Sequence, residues 1–309
     1  MNRQAGGERH SSLPTAAVLL SVHGRTPYLA EQLESLANQV GVEVRLTYHM
    51  DDLDDRCSQI VEQYFPEAKR IDEPGGLGLP HAYLRLLEWA PVADFYAFCD
   101  QDDVWESDKL LRASKEFTFD DDQPRLWLGR AVVFEEENPR SGLSSQENVR
   151  AEKDFGAALV QTLSPGCSMV WNIALQRKIK STLPTEQVMM HDSWVGLIAA
   201  ATGVVTKGSE IGTWYRQHST NAIGLKKPMV KRGFSLLGRV GRGRPNFASQ
   251  AAELLRYFAP EMDRDDVQTA VAVADWNRPR LLLLWLRKRI WRGGRGENAL
   301  LLLRLLLPR

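Results

Sequence analysis

Residues 95–117 read FYAFCDQDDVWESDKLLRASKEF. Phe95–Cys99 is apolar and aromatic, short, and without a helical period, so it predicts a buried strand. It stops at Asp100-Gln101-Asp102-Asp103, and Ser107 is placed to cap a helix over Asp108–Phe117. Working outward, the same strand–loop–helix unit recurs. Ala16–Val22 (AAVLLSV) predicts a strand, and Tyr28–Asn38 carries apolar residues at 28, 29, 33 and 36, as an amphipathic helix does. Val42–Tyr48 alternates as a strand, the acidic loop Met50–Asp55 follows, and Arg56–Tyr64 reads as a helix. Ala68–Asp72 is a short strand, Glu73–Gly78 a turn-rich loop, and Pro80 opens a helix to Trp89. Alternation of this kind predicts an α/β fold with a Rossmann-like, mostly parallel sheet flanked by helices. Ligands of such sheets bind beyond the carboxyl ends of the strands. Both acidic loops follow strands directly, so both are expected on the binding edge.

Farther along, Arg125–Phe134 predicts one strand, Glu135–Glu152 an exposed loop, and Ser164–Trp171 a loop entering a strand. Asp192–Ala201 reads as a helix and Gly203–Lys207 as a short strand. From Lys226 the texture changes: Lys, Arg and Gly dominate to Arg244, a helical stretch runs to Tyr257, and a Leu/Arg/Trp-rich end begins at Arg278. Three segments are therefore expected: a disordered N-terminus over 1–13, a main α/β domain over 14–224, and a basic, leucine-rich helical extension over 225–309.

The chain has 309 residues and zero formal net charge, but the charge is unevenly spread. Residues 225–309 hold 18 Lys/Arg against 7 Asp/Glu, a net +11, which leaves −11 on residues 1–224. A basic end of this kind, with Trp285 and Trp291 set among arginine-flanked leucines, suits an anionic membrane surface; a helical hairpin packed on the domain is the competing reading. The tail lacks the interleaved aromatics of a nucleic-acid stacking platform, so no nucleic-acid partner is expected. Cys57, Cys99 and Cys167 are scattered, without metal-ligand spacing or a disulfide framework, which predicts a reducing cytoplasm. No signal peptide is expected, and the longest apolar runs are too short to span a bilayer.

Four constellations carry chemistry. Asp100 and Asp102 stand two apart at a strand end and point to one side in extended backbone. Two carboxylates with no His or Cys adjacent in the motif suit a hard divalent cation, Mg²⁺ or Mn²⁺, able to neutralise a departing diphosphate; a solvated acidic turn is the plainer alternative. In Met50–Asp55, Asp51 or Asp52 is placed to accept hydrogen bonds from a base or a ribose, or simply to enrich a helix start in acid. At the start of the helix after residue 190, Asp192 suits a general base or an N-cap, with His191 the rival base. In Trp214–Asn221, Arg216 and His218 suit phosphate oxygens, and His218 also suits the metal.

These motifs together resemble inverting glycosyltransferase family two. Ser21-Val22-His23 with Tyr28–Gln39 is similar to its first strand and helix. Phe98–Leu110 (FCDQDDVWESDKL) resembles the donor-metal motif of its rhamnosyltransferase-like branch, and His191-Asp192-Ser193-Trp194 and Tyr215–Gly224 resemble two later landmarks in the expected order. The resemblance covers roughly residues 15–224. It implies a GT-A fold and inversion by a single displacement. It implies that Ser21, His23, Asp51 and Asp52 meet the nucleotide, and that Asp100, Asp102 and His218 hold the divalent cation. It further implies that Asp192 is the base, with Asp103, Trp105, His191 and Arg216 beside phosphate or acceptor. The second-strand loop reads Asp51-Asp52-Leu53-Asp54 where the family usually has Asp-Asp-Gly-Ser, and Ala82 stands where Asn is frequent.

The expected activity is metal-dependent, non-processive transfer of a sugar, rhamnose by the branch resemblance, from a nucleotide-diphosphate donor. The acceptor is a hydroxyl of a glycan or lipid-linked glycan, and the enzyme works in the cytoplasm at the inner membrane face. A nucleotidyltransferase and a non-catalytic nucleotide or nucleic-acid binder are the alternatives; the first needs a Gly-rich triphosphate loop after its first strand, where this chain has only His23–Pro27.

Overall fold

A computed structural model describes residues 13–24, 26–51, 55–72, 76–117, 122–135, 138–144, 155–218 and 245–306. The N-terminal segment expected to be disordered therefore lies almost wholly outside the described residues, as do Asp52–Asp54. The first half alternates as predicted: β1 Thr15–Val22, α1 Leu29–Ala37, β2 Glu43–Met50, α2 Asp55–Tyr64, β3 Lys69–Ile71, α3 His81–Trp89, β4 Phe95–Asp100, a two-residue β5 Val104–Trp105, and α4 Lys109–Ser114. The second half holds β6 Arg125–Glu135, β7 Asn138–Ser144, α5 Phe155–Ala158, β8 Met169–Asn172, α6 Ile173–Ser181, α7 His191–Thr202 and β9 Val204–Gln217. Four helices close the described residues: α8 Phe247–Phe258, α9 Arg264–Ala274, α10 Arg278–Leu286 and α11 Arg295–Leu306.

The strands form one sheet in the order β3-β2-β1-β4-β8-β6-β9-β5, with β7 paired to β6. The pairs β1–β2, β1–β4 and β2–β3 are parallel, as is β6–β9, whereas β8 joins β4 and β6 antiparallel. This is an α/β fold, a mixed sheet flanked by helices, with a helical C-terminal region. Alternation along the central strands explains why both faces are covered. On β1, Ala16, Val18, Leu20 and Val22 enter the core under α1 and α2, while Ala17 and Leu19 enter the core under α3 and α7. On β4, Phe95, Ala97 and Cys99 face the first core and Tyr96 and Phe98 the second.

Two expectations need correcting. The exposed loop predicted from Glu135 contains β7, and the short strand predicted over Gly203–Lys207 runs on to Gln217. Both strands owe their existence to β6: one edge pairs with β9 through register shifts near Gly129, and the other accepts β7. Neither segment has an alternating apolar pattern, because ladder partners rather than a buried face hold them in place. Helix α6, capped by Asn172 accepting from the Leu175 N–H, was not anticipated.

The C-terminal helices bury Ala251, Leu254, Phe258, Ala270, Val273, Leu281, Ile290, Leu301 and Leu305 in the same core as β4 and α7. Gly156 of α5 marks how close the approach is, since a Cβ there would stand 1.6 Å from the Arg289 carbonyl oxygen. Gly156→Ala is therefore expected to lower stability by about 1–3 kcal/mol. That would appear as a lower urea midpoint with an unchanged slope; an unaltered midpoint would refute the close packing of this turn.

Candidate active site

The parallel strands β2, β1 and β4 end in register: Ser21 lies beside His49 on one side and Asp100 on the other. This gathers Ser21, His23, Asp51 and the acid run 100–103 along one sheet edge. Gln101 ties two of these loops together, accepting from the His23 N–H at 2.8 Å and donating to the His23 carbonyl at 2.8 Å.

Asp51 is a buried anchor of this edge. It accepts from the backbone N–H groups of Leu77 and Gly78 at 2.9 and 3.1 Å, and meets His49 Nε2 at 3.1 Å and His23 Nδ1 at 3.2 Å. Burial pushes its carboxyl up, but the bonds from Gly78, His49 and Leu77 outweigh that and hold it below the ordinary range. Gly78 takes φ +61°, a conformation that favours glycine. Asp51 thus shapes the loop between β3 and α3 from beneath, while the exposed ring of His23 stands at the edge.

Around the acid run, Asp100 accepts from the Tyr83 hydroxyl at 2.8 Å. Burial, then repulsion from Asp102, raises it to about 6. Asp102 meets His218 Nε2 at 2.7 Å through Oδ2, and its carbonyl accepts from Arg216 Nε at 2.9 Å. Asp103 turns inward. It is fully buried, accepts from the Arg216 N–H at 3.1 Å, and burial followed by the charges of Asp100 and Asp102 pushes it well up. Behind it, the buried Lys109 donates to the Cys167 carbonyl at 2.5 Å with its ammonium 3.1 Å from the Trp105 ring centroid. Burial lowers Lys109 to about 7, against the pull of Cys167, Cys99, Asp103 and Asp100.

Among the described residues, Asp100, Asp103 and Cys167 present ligand atoms within 4.8 Å of one another. Burial holds the Cys167 thiol protonated, and a thiol is soft. Asp100 also feels the repulsion of Asp102, which has His218 alongside, and two carboxylates with a histidine are a harder donor set than one with a thiol.

Asp192 opens α7 and accepts from the Ser193 N–H at 2.7 Å. Burial first, and the charge of Asp100 among lesser causes, raise it to about 7 despite backbone bonds from Ser193 and Gly166. Gly166 is pressed against this corner: a Cβ there would lie 2.9 Å from His191 Nε2 and 3.6 Å from the Asp192 Cβ. His191 is buried, stacked on Tyr83 at 4.0 Å and edge-on to Phe98 at 4.7 Å, and burial lowers it to about 3.

The four residues expected beside phosphate or acceptor sit deeper than His23. Asp103, Trp105, His191 and Arg216 are all buried behind the edge. Arg216 lies between the Tyr28 and Phe134 rings, 4.3 and 4.6 Å from their centroids, and pairs with Glu31. Distant segments pack on three of them: the Arg216 N–H on Asp103, the Ser35 hydroxyl on the Trp105 N–H, and the Tyr83 ring on His191. The residues that sequence reasoning passed over are Tyr83, stacked on His191, Lys109, over Trp105, Gly166, against His191 and Asp192, and Gln250. Only the Ser-Pro-Gly turn at 164–166 carried a local signal. Gln250 of α8 is the most distant: it accepts from the Met189 N–H at 3.2 Å and donates to the Ser193 hydroxyl at 3.0 Å, bracketing Asp192.

The family model described as Glycosyl transferase family 2 matches residues 17–177, just over half of the chain. Among solved structures, S. aureus TarS 1-349 aligns with a TM-score of 0.55 and 14% identity, covering 84% of this chain and 70% of that one. The same TarS portion in complex with UDP gives 0.54 and 16%, with the same coverage. The mannosyltransferase PcManGT from Pyrobaculum calidifontis, in complex with GDP-Man and Mn²⁺, gives 0.50 and 15%, covering 95% and 80%. At such identities the likeness shows a shared fold. No curated protein matches the sequence.

Two outcomes follow from the Asp192 corner. An unfolded aspartate ionises near its ordinary value, whereas folded Asp192 holds its proton to about pH 7. The cost to stability is thus absent below the unfolded value and complete above the folded one. Asp192→Asn is expected to stabilise the fold by about 1–2 kcal/mol near pH 8 and by less near pH 5. Thermal melts at the two pH values test this, and a pH-independent difference would contradict it. Gln250→Ala is expected to lower kcat about tenfold to a hundredfold while nucleotide affinity stays unchanged. An equal loss in both would reduce Gln250 to a general packing residue.

Proposed function

The chain belongs to glycosyl transferase family 2 and is a nucleotide-sugar glycosyltransferase, and from that premise we propose a metal-assisted, inverting, single-addition transfer with Asp192 as its base. One observation carries this reading: a carboxyl raised to about 7 at the start of α7, close enough to the acid edge of β4 to feel the charge of Asp100. A carboxylate of that basicity takes a proton near neutral pH far better than one at the ordinary value. His191, lowered to about 3 and closed in by Tyr83 and Phe98, is the weaker candidate.

In the proposed reaction the acceptor hydroxyl oxygen bonds to the anomeric carbon. The bond from that carbon to the diphosphate oxygen breaks with its electron pair leaving on the diphosphate. The hydroxyl proton passes to Asp192, and attack opposite the leaving group inverts the centre. A divalent cation, Mg²⁺ or Mn²⁺, would be held by Asp100 and Asp102 with His218 beside Asp102, and supplies positive charge against the departing diphosphate. The neighbour PcManGT is in complex with Mn²⁺ as well as GDP-Man, which supports that choice. Tyr83 fixes Asp100 through its hydroxyl, and Arg216 holds the backbone of Asp102. Ser21 and His23, with Asp52 and the loop that Asp51 anchors, form the nucleoside side.

The donor sugar is proposed to be rhamnose, on the motif resemblance, and the acceptor a hydroxyl of a glycan or lipid-linked glycan. The basic C-terminal region is proposed to rest on the cytoplasmic face of the membrane. Family membership displaces the nucleotidyltransferase and non-catalytic readings.

Titration calorimetry with UDP and dTDP, with and without Mn²⁺, tests the site. The expected outcome is metal-dependent binding of one nucleotide, lost in Asp102→Asn with the fold intact. Binding indifferent to metal and to Asp102 would refute the assignment of the acid pair.

A further inference from the structure

Helices α10 and α11 repeat one pattern. Leu281 and Leu301 are buried in the core, at 1% and 7% exposure, while the leucines two and five residues later face outward: Leu283 at 45%, Leu286 at 64%, Leu303 at 47% and Leu306 at 60%. At about 100° per residue these positions turn roughly 200° and 140° away from the buried leucine. Each helix is therefore apolar on both its inner and its outer side. A helix of that composition calls for burial on both sides, and the protein covers only one. The two helices also contact each other.

The charge around these leucines is one-sided. Residues 278–306 contain eight Lys/Arg and one acid, Glu297. Arg289 pairs with Asp265, and Arg292 approaches Glu297 at 3.7 Å. Arg280, Arg287 and Lys288 are exposed and have no ion pair among the described residues. No described helix is long and apolar enough to cross a membrane. Exposed leucines ringed by unpaired cations fit the boundary between headgroups and acyl chains of an anionic bilayer. A second copy of the chain would bring two basic faces together, which like charge opposes.

We infer that the outer leucines of α10 and α11, with Arg280, Arg287 and Lys288, form a docking face for an anionic phospholipid bilayer. The inference gives residues to the membrane-facing part of the proposed function and rests on that part alone. The two helices are tied to the Asp192 corner through packed contacts. The turn after α10 packs on Gly156, and Gly293 donates its N–H to Gln161 at 3.0 Å. The chain from Gln161 then enters the 164–168 loop, whose Gly166 touches His191 and Asp192.

Co-sedimentation of the full chain with vesicles tests the face, using phosphatidylcholine alone and an equal mixture with phosphatidylglycerol. Binding to the mixture only, weakened by added salt, is expected. The combined variant Arg280→Glu, Arg287→Glu and Lys288→Glu should bind the mixture at least roughly a hundredfold more weakly. Leu283→Ser with Leu286→Ser, Leu303→Ser and Leu306→Ser should lose at least about tenfold. All seven positions are exposed, so the fold is expected to survive. Nucleotide binding by calorimetry should be unchanged in both variants, which separates failure of this inference from failure of the transferase reading. Undiminished binding by either variant, equal binding to uncharged vesicles, or leucine-dependent dimers without vesicle binding would overturn it.

Discussion

Three carboxylates crowd the end of one buried strand, and much of the surrounding structure answers their repulsion. Two like charges about 4 Å apart oppose each other by roughly 4 kcal/mol at an effective dielectric near 20. Burial and such repulsion hold Asp100 and Asp103 above the ordinary carboxyl range, and each of the three is treated differently. Asp103 is withdrawn into the interior against the Arg216 N–H and the field of Lys109. Asp102 is met by His218, and Asp100 by the Tyr83 hydroxyl. The strands and loops that deliver these partners, β9, α3, α4 and the 164–168 loop, are held in place by the same contacts.

One consequence is a gradient of basicity across the site. The charge gathered at β4 adds to burial at Asp192, so the carboxyl proposed to receive a proton holds one more tightly than Asp100 does. A cation at the acid pair would lower that barrier as it bound.

A second consequence concerns the C-terminal region. Gln250 brackets Asp192, and Gly156 leaves room for the Arg289 carbonyl. Helices beyond the matched residues 17–177 thus complete the corner of the proposed base and carry the outward leucines. The two ends of the charge distribution are joined through one core, with the basic end outermost.

The sequence was enough to read the first half of the fold and the location of the acids. Local periodicity specifies β1 to α4, and a strand followed directly by carboxylates must deliver them to the carboxyl edge of a parallel sheet. Residue type also singled out Asp192 and His218, the latter as a phosphate or metal contact; its meeting with Asp102 emerges only in the packed chain. The lengths of β7 and β9 were not legible, because ladder partners rather than an apolar face hold them. Nor were the roles of the buried group legible. Whether Asp103 faces solvent or Lys109, whether Arg216 meets a phosphate or Glu31, and whether His191 or Asp192 is the better base depend on burial and on partners up to 185 residues away. Desolvation and pairing belong to the packed chain: the same side chains have ordinary proton affinities in the extended polypeptide, and only packing sets them apart.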